Sequence, residues 1–165
     1  MGALNIAVSN FHIDLKRGIE IEKMALNRFL IWCEENNKHC EILKMHNDDN
    51  KYDSIIILDD KILLVDVKAD FMFTKTNNVA IEFHSRGKPS GISTTHANLY
   101  MIFLEKNINN SKINYLLVIP VEKIKTSIER KEYFKIHKNS GDSGSSTQIY
   151  LYKFDDILKL CDYVI

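Results

Sequence analysis

The sequence predicts an α/β protein, a mixed β-sheet flanked by helices, forming one domain over residues 1–165. Three observations predict it. A long amphipathic stretch with helical periodicity lies near the start, short runs of β-branched and aliphatic residues follow it, and helix-patterned segments alternate with those runs. The length suits a single sizeable core. At 45% hydrophobic and 27% charged, with six Gly and two Pro, the composition excludes a disordered or linker-rich chain.

The elements follow in order. Over 18–36, Ile21, Ala25, Phe29 and Trp32 recur at helical spacing, with Leu26, Leu30 and Cys33 widening the stripe. Residues 54–58 (SIIIL) and 62–68 (ILLVDVK) flank Asp59-Asp60-Lys61 and predict a hairpin buried on both faces. Residues 79–83 (VAIEF) predict a third strand. Over 94–103, Ala97, Tyr100 and Met101 share a helical face, with Thr94 or Thr95 as N-cap. Residues 115–120 (YLLVIP) predict a buried strand and 121–131 a short basic helix, and a strand at 149–153 and a helix at 155–161 close the order.

Charge and cysteine narrow the class. The 22 basic and 22 acidic side chains cancel, which excludes a protein that coats nucleic acid by bulk charge. They are unevenly placed: residues 1–70 carry 13 acids and 9 bases, and residues 71–165 the reverse. Three cysteines without a C-x-x-C pair predict reduced thiols and a cytoplasmic protein, including the host-cell cytoplasm for a phage- or virus-encoded chain. No apolar run approaches the roughly 18–20 residues of a membrane helix, and MGALNIAVSNF lacks the pattern of a signal peptide.

The hairpin brings chemistry together. If Asp59-Asp60 is a two-residue turn, Leu58 pairs with Lys61 and Asp53 falls opposite Asp66. Cross-strand partners have Cβ atoms about 4.5–5.5 Å apart, and like charges there destabilise. Lys68 shares the face of Asp66. Facing carboxylates need a proton, a cation or separation to coexist, and Mg²⁺ binds through one or two carboxylates while keeping several waters. A three-residue turn would instead put the two acids on opposite faces.

Asp53 followed by Asp66-Val67-Lys68 resembles the signature of the PD-(D/E)xK nuclease superfamily. Arg17-Gly18-x-x-x-Glu22 is similar to the opening of its Holliday-junction resolvases. IEFHSRGKPSGISTTHANLY (81–100) and the ending VIPVEKI…NSGDSGSSTQIYLYKFDDIL are similar to its phage-type members. The resemblance runs from about residue 17 to the C-terminus. Tyr52 stands where the motif has Pro, and the second acid is Asp rather than Glu. The resemblance implies a restriction-endonuclease-like core in α-β-β-β-α-β order and a Mg²⁺- or Mn²⁺-dependent DNA endonuclease, acting on branched DNA as a homodimer. It also implies that Asp53, Asp66, the Val67 carbonyl and a helix-borne acid hold the metal, with Lys68 serving the attacking water and the scissile phosphate. Glu22 borders the apolar stripe and is preferred to Glu20 for that acid, with Glu82 in reserve.

Phosphate contacts are expected from residues 84–96, where Arg86, Lys88, Ser90, Gly91, Ser93, Thr94 and Thr95 supply cations, hydroxyls and backbone amides. The basic run 122–138 reads as a solvated face. The six histidines show no metal-ligand spacing. Rival readings are a non-catalytic nucleic-acid-binding or regulatory protein on the same fold, a plain interaction domain, or an enzyme acting on RNA. For the last, His12 with this acid set is similar to viral cap-cleaving RNA endonucleases.

Overall fold

A computed structural model of the chain describes residues 2–44, 51–108, 111–140 and 146–165, and the side chains of 16–44, 51–107, 111–138 and 146–165. The His12 and His46 side chains and positions 141–145 of the glycine- and serine-rich loop lie outside the described residues.

The elements are α1 (Gly2–Glu35), β1 (Cys40–Lys44), β2 (Ser54–Leu58), β3 (Lys61–Asp70), α2 (Phe73–Thr76), β4 (Asn78–Ser85) and β5 (Lys88–Pro89). A 3₁₀ turn at Gly91–Ser93 leads to β6 (Leu99–Ile108), β7 (Ser111–Pro120), α3 (Val121–Glu129), β8 (Lys135–Ser140), β9 (Thr147–Lys153), α4 (Phe154–Leu158) and β10 (Tyr163–Val164). Six strands form one sheet in the order β1-β2-β3-β6-β7-β10, and four form a second in the order β5-β4-β9-β8. The first sheet is mixed because β3 and β6 run parallel while its other neighbours are antiparallel.

Strand alternation divides the interior into two cores. Leu99 and Met101 of β6 and Leu116 and Val118 of β7 face α1, where they meet Ala25, Leu26, Phe29 and Cys33. Their neighbours Tyr100, Ile102, Leu104, Leu117 and Ile119 face the second sheet and pack with Val79, Ile81 and Tyr152. The helical stripe is therefore buried as its spacing requires, with Trp32 stacked on Phe29 at 6.0 Å. The mixed sheet is flanked by α1 on one face, and by the second sheet with α3 and α4 on the other. No helix of the described residues is long and apolar enough to cross a membrane.

Three sequence expectations are corrected. The helix expected at 94–103 is instead a loop followed by β6, so neither Thr94 nor Thr95 caps a helix. Buried on both faces between β3 and β7, this strand is a continuous apolar run, which periodicity alone does not distinguish from a buried helix. The strand at 79–83 lies in the second sheet, paired with β9, and the strand that completes the meander with β2 and β3 is β1, whose mixed polarity hides it. The element string α1-β1-β2-β3-α2-β4 keeps the α-β-β-β-α-β order with other residues: its first strand is β1, and its second helix is the short α2 rather than 94–103. The hairpin is also less buried than expected: Ile62, beside the turn, is 66% exposed.

Candidate active site

The hairpin closes through Asp59 and Asp60 at φ 47 and 66, both left-handed, as a two-residue turn matching strand twist requires. Aspartate tolerates this backbone, and the Asp59 carboxylate accepts a hydrogen bond from the His39 amide at 3.1 Å. Leu58 pairs with Lys61 and Ser54 with Val65, where the regular register ends. The Asp53 amide donates to the Val65 carbonyl at 2.8 Å, and the Val67 amide donates to Asp53 Oδ2 at 2.7 Å. Asp66, 5% exposed, has Lys68 Nζ at 2.6 Å from Oδ1 and accepts from Thr95 Oγ1 at 3.1 Å on Oδ2. In the parallel register Asp66 lies beside Tyr100 and Lys68 beside Ile102, so this cluster is on the side of the second sheet.

Glu22 approaches from the other side. It is buried, and its Oε1 accepts from Ser54 Oγ at 2.7 Å, whereas Glu20 is exposed. Ser54 is on the α1 face with its cross-strand partner Val65. The structure thus brings Asp53, Asp66, Val67 and Lys68 together, and brings Glu22 to their border through Ser54. Among the described residues no group of three or more His, Cys, Asp and Glu is arranged to hold a metal ion.

Burial and like charge set the electrostatics of the cluster. The Asp53 carboxyl is pushed from an ordinary 3.8 to about 6, by burial first and by the Asp66 charge second. Lys68 and the Val67 amide oppose that rise, and Glu22 adds a smaller push. Burial pulls the Lys68 ammonium down, but Asp66, then Asp53 and Glu82, raise it on balance. Two neighbouring carboxylates with one lysine are still a donor set that Mg²⁺ or Mn²⁺ fits, since such ions take one or two carboxylates and fill the remaining positions with water.

The expected phosphate loop separates into two parts. Arg86 and Gly87, at φ 51 and 76, form the tip of the β4–β5 hairpin, and Arg86, Lys88 and Thr94 are exposed. Ser90, Gly91 and Thr95 turn inward, contrary to expectation. Ser90 Oγ donates to Glu82 Oε1 at 2.7 Å, and Thr95 Oγ1 is engaged with Asp66 and the Lys51 carbonyl. Gly91, at φ 52, lies so close to β4 that a Cβ would sit 2.3 Å from the Glu82 carbonyl oxygen. A strand carbonyl cannot yield cheaply. Gly91→Ala is therefore expected to destabilise the fold by about 3 kcal/mol or more, read as a lower urea midpoint, since left-handed strain alone costs about 1–3 kcal/mol. In the basic run 122–138, Lys123 is tied to Asp162 at 2.6 Å, while Lys125, Lys131 and Lys135 are exposed.

Sequence reasoning missed Thr95 as a partner of Asp66, and it missed Asp70. The Asp70 carboxylate accepts from the Met72, Phe73 and Ala80 amides at 2.9, 3.1 and 2.9 Å, fixing the loop after β3 onto β4. Its position two residues beyond Lys68, on the same strand face, was the available signal. Together the fold and cluster define an α/β protein whose mixed sheet carries a buried aspartate, a half-buried aspartate and a lysine at the open end of its central hairpin. Comparison with protein-family models, curated proteins and solved structures finds no match.

Proposed function

We propose that this chain is a Mg²⁺- or Mn²⁺-dependent DNA endonuclease of the PD-(D/E)xK type, acting on branched DNA as a homodimer. The observation that carries the reading is the convergence of Asp53, Asp66 and Lys68 at the end of the hairpin, where burial and the Asp66 charge raise the Asp53 carboxyl to about 6. Asp53 and Asp66 would hold the ion with the Val67 carbonyl, and Glu22 would border it. A bound divalent ion supplies charge stabilisation at the phosphoryl oxygens and a more acidic coordinated water.

The chain's own groups do the rest. Thr95 and the Val67 amide fix the orientation of the two carboxylates. The Lys68 ammonium neutralises charge developing on the scissile phosphate, a role worth most in a site sheltered from water. Arg86, Lys88 and Thr94 contact flanking phosphates, which positions the strand without reading its sequence.

The test is incubation with plasmid, four-way-junction and single-stranded DNA, and with RNA, in Mg²⁺, Mn²⁺ or EDTA. Cleavage of DNA in either metal and none in EDTA is expected. Binding without metal-dependent cleavage of any substrate would favour the non-catalytic reading, and cleavage confined to RNA would favour the RNA endonuclease. Light scattering after size exclusion tests the homodimer.

A further inference from the structure

A cleft of about 350 Å³ opens directly beside Lys68. Lys68 and Glu82 both line it, with Ala69, Ala80, Ile81 and Ile149 among its walls. The Lys68 ammonium lies 5.9 Å from the centre of the Tyr100 ring, which also lines the cleft. The Tyr100 hydroxyl is buried. At the rim Phe71 is 37% exposed, with the Arg17 guanidinium 3.7 Å from its ring centre. The rim is preorganised, because Asp70 ties the backbone on either side of Met72 to β4.

We infer that this cleft receives one unpaired nucleobase from the nucleotide next to the scissile phosphate, and that the enzyme therefore selects DNA containing unpaired nucleotides over continuous duplex. The inference rests on the nuclease reading and names its substrate class. A nucleotide complements both charged groups of the lining: its phosphate is anionic, as Lys68 requires, and cytosine and adenine carry an exocyclic amine that donates to a carboxylate such as Glu82. A free inorganic anion gains nothing from Glu82. Small and aliphatic walls with an aromatic lip suit a flat ring, as in enzymes that hold an extruded base by stacking and edge hydrogen bonds. Its volume is ample for one base. Ser90 fixes Glu82 through Oε1, and Gly91 lets the backbone pass close behind.

The experiment measures binding of the metal-free protein in EDTA to duplexes that differ at one position: an unpaired cytosine, an unpaired thymine, an unpaired abasic residue, or a fully paired site. Unpaired cytosine is expected to bind roughly tenfold more tightly than the abasic or paired duplex, the scale of one base stacked on aromatic side chains. Phe71→Ala should close that gap. Glu82→Gln should erase the preference for cytosine over thymine and keep the preference for a base over an abasic site. Equal affinity for all four duplexes, with metal-dependent cleavage intact, overturns the pocket and leaves the nuclease reading standing. Neither binding nor cleavage of any DNA overturns both.

Discussion

Lys68→Ala is expected to lower DNA cleavage by about a hundred- to a thousandfold, the range seen when one preorganised group facing developing negative charge is removed. Asp66→Asn is expected to lower it below detection. The Asn keeps the shape of Asp66 and an acceptor for Thr95 Oγ1, but it removes a charged donor from the proposed ion site and the counter-charge of Lys68. Both variants should retain the far-UV circular dichroism of the wild type, because neither residue is a member of the two apolar cores. Lys68→Ala leaves Asp66 without its ammonium partner, and an unpaired buried carboxylate destabilises a fold. A lower melting temperature is therefore expected for Lys68→Ala, and excess Mg²⁺ should restore part of it. Cleavage at the wild-type rate by either variant would refute the site.

The hairpin was legible because it is local. Aliphatic runs on both sides of Asp59-Asp60 specify two strands, two residues specify the turn, and the turn fixes the register from Leu58–Lys61 to Ser54–Val65. The Glu22 stripe was legible for the same reason, since helix spacing alone places that acid beside buried residues. What was not legible depends on contacts distant in sequence. Residues 99–104 (LYMIFL) become a strand because β3 and β7 bond them on both edges. Thr95, freed from any helix, then turns its hydroxyl to an aspartate 29 residues earlier. Ser90 and Gly91 look like phosphate contacts in a polar loop, but both serve the approach of that loop to Glu82, a residue assigned to a strand of unknown partner. The second sheet escaped notice for a related reason: β8 is mostly exposed and charged, so it carries no burial pattern to read.

A site built for a cation should strain the protein when the cation is withheld, and Asp53 gives the sign. Its carboxyl has an ordinary value of 3.8 and is raised to about 6 in the fold, so the folded state holds the proton more tightly than the unfolded chain. The stability linked to that proton is fully present below 3.8 and is lost as pH rises through about 6. Two pH units correspond to about 3 kcal/mol, which for a chain of this size is roughly 6–12 °C in melting temperature. Asp53→Asn carries no charge at any pH and keeps an oxygen to accept from the Val67 amide. In EDTA at pH 8 the variant is therefore expected to melt above the wild type, and the difference should vanish below pH 4. Mg²⁺ should then reverse the order, raising the wild type in proportion to the logarithm of its concentration and leaving the variant unmoved. A wild type as stable as Asp53→Asn in EDTA at pH 8 would remove the electrostatic argument for the site. Equal stabilisation of both proteins by Mg²⁺ would place the ion elsewhere.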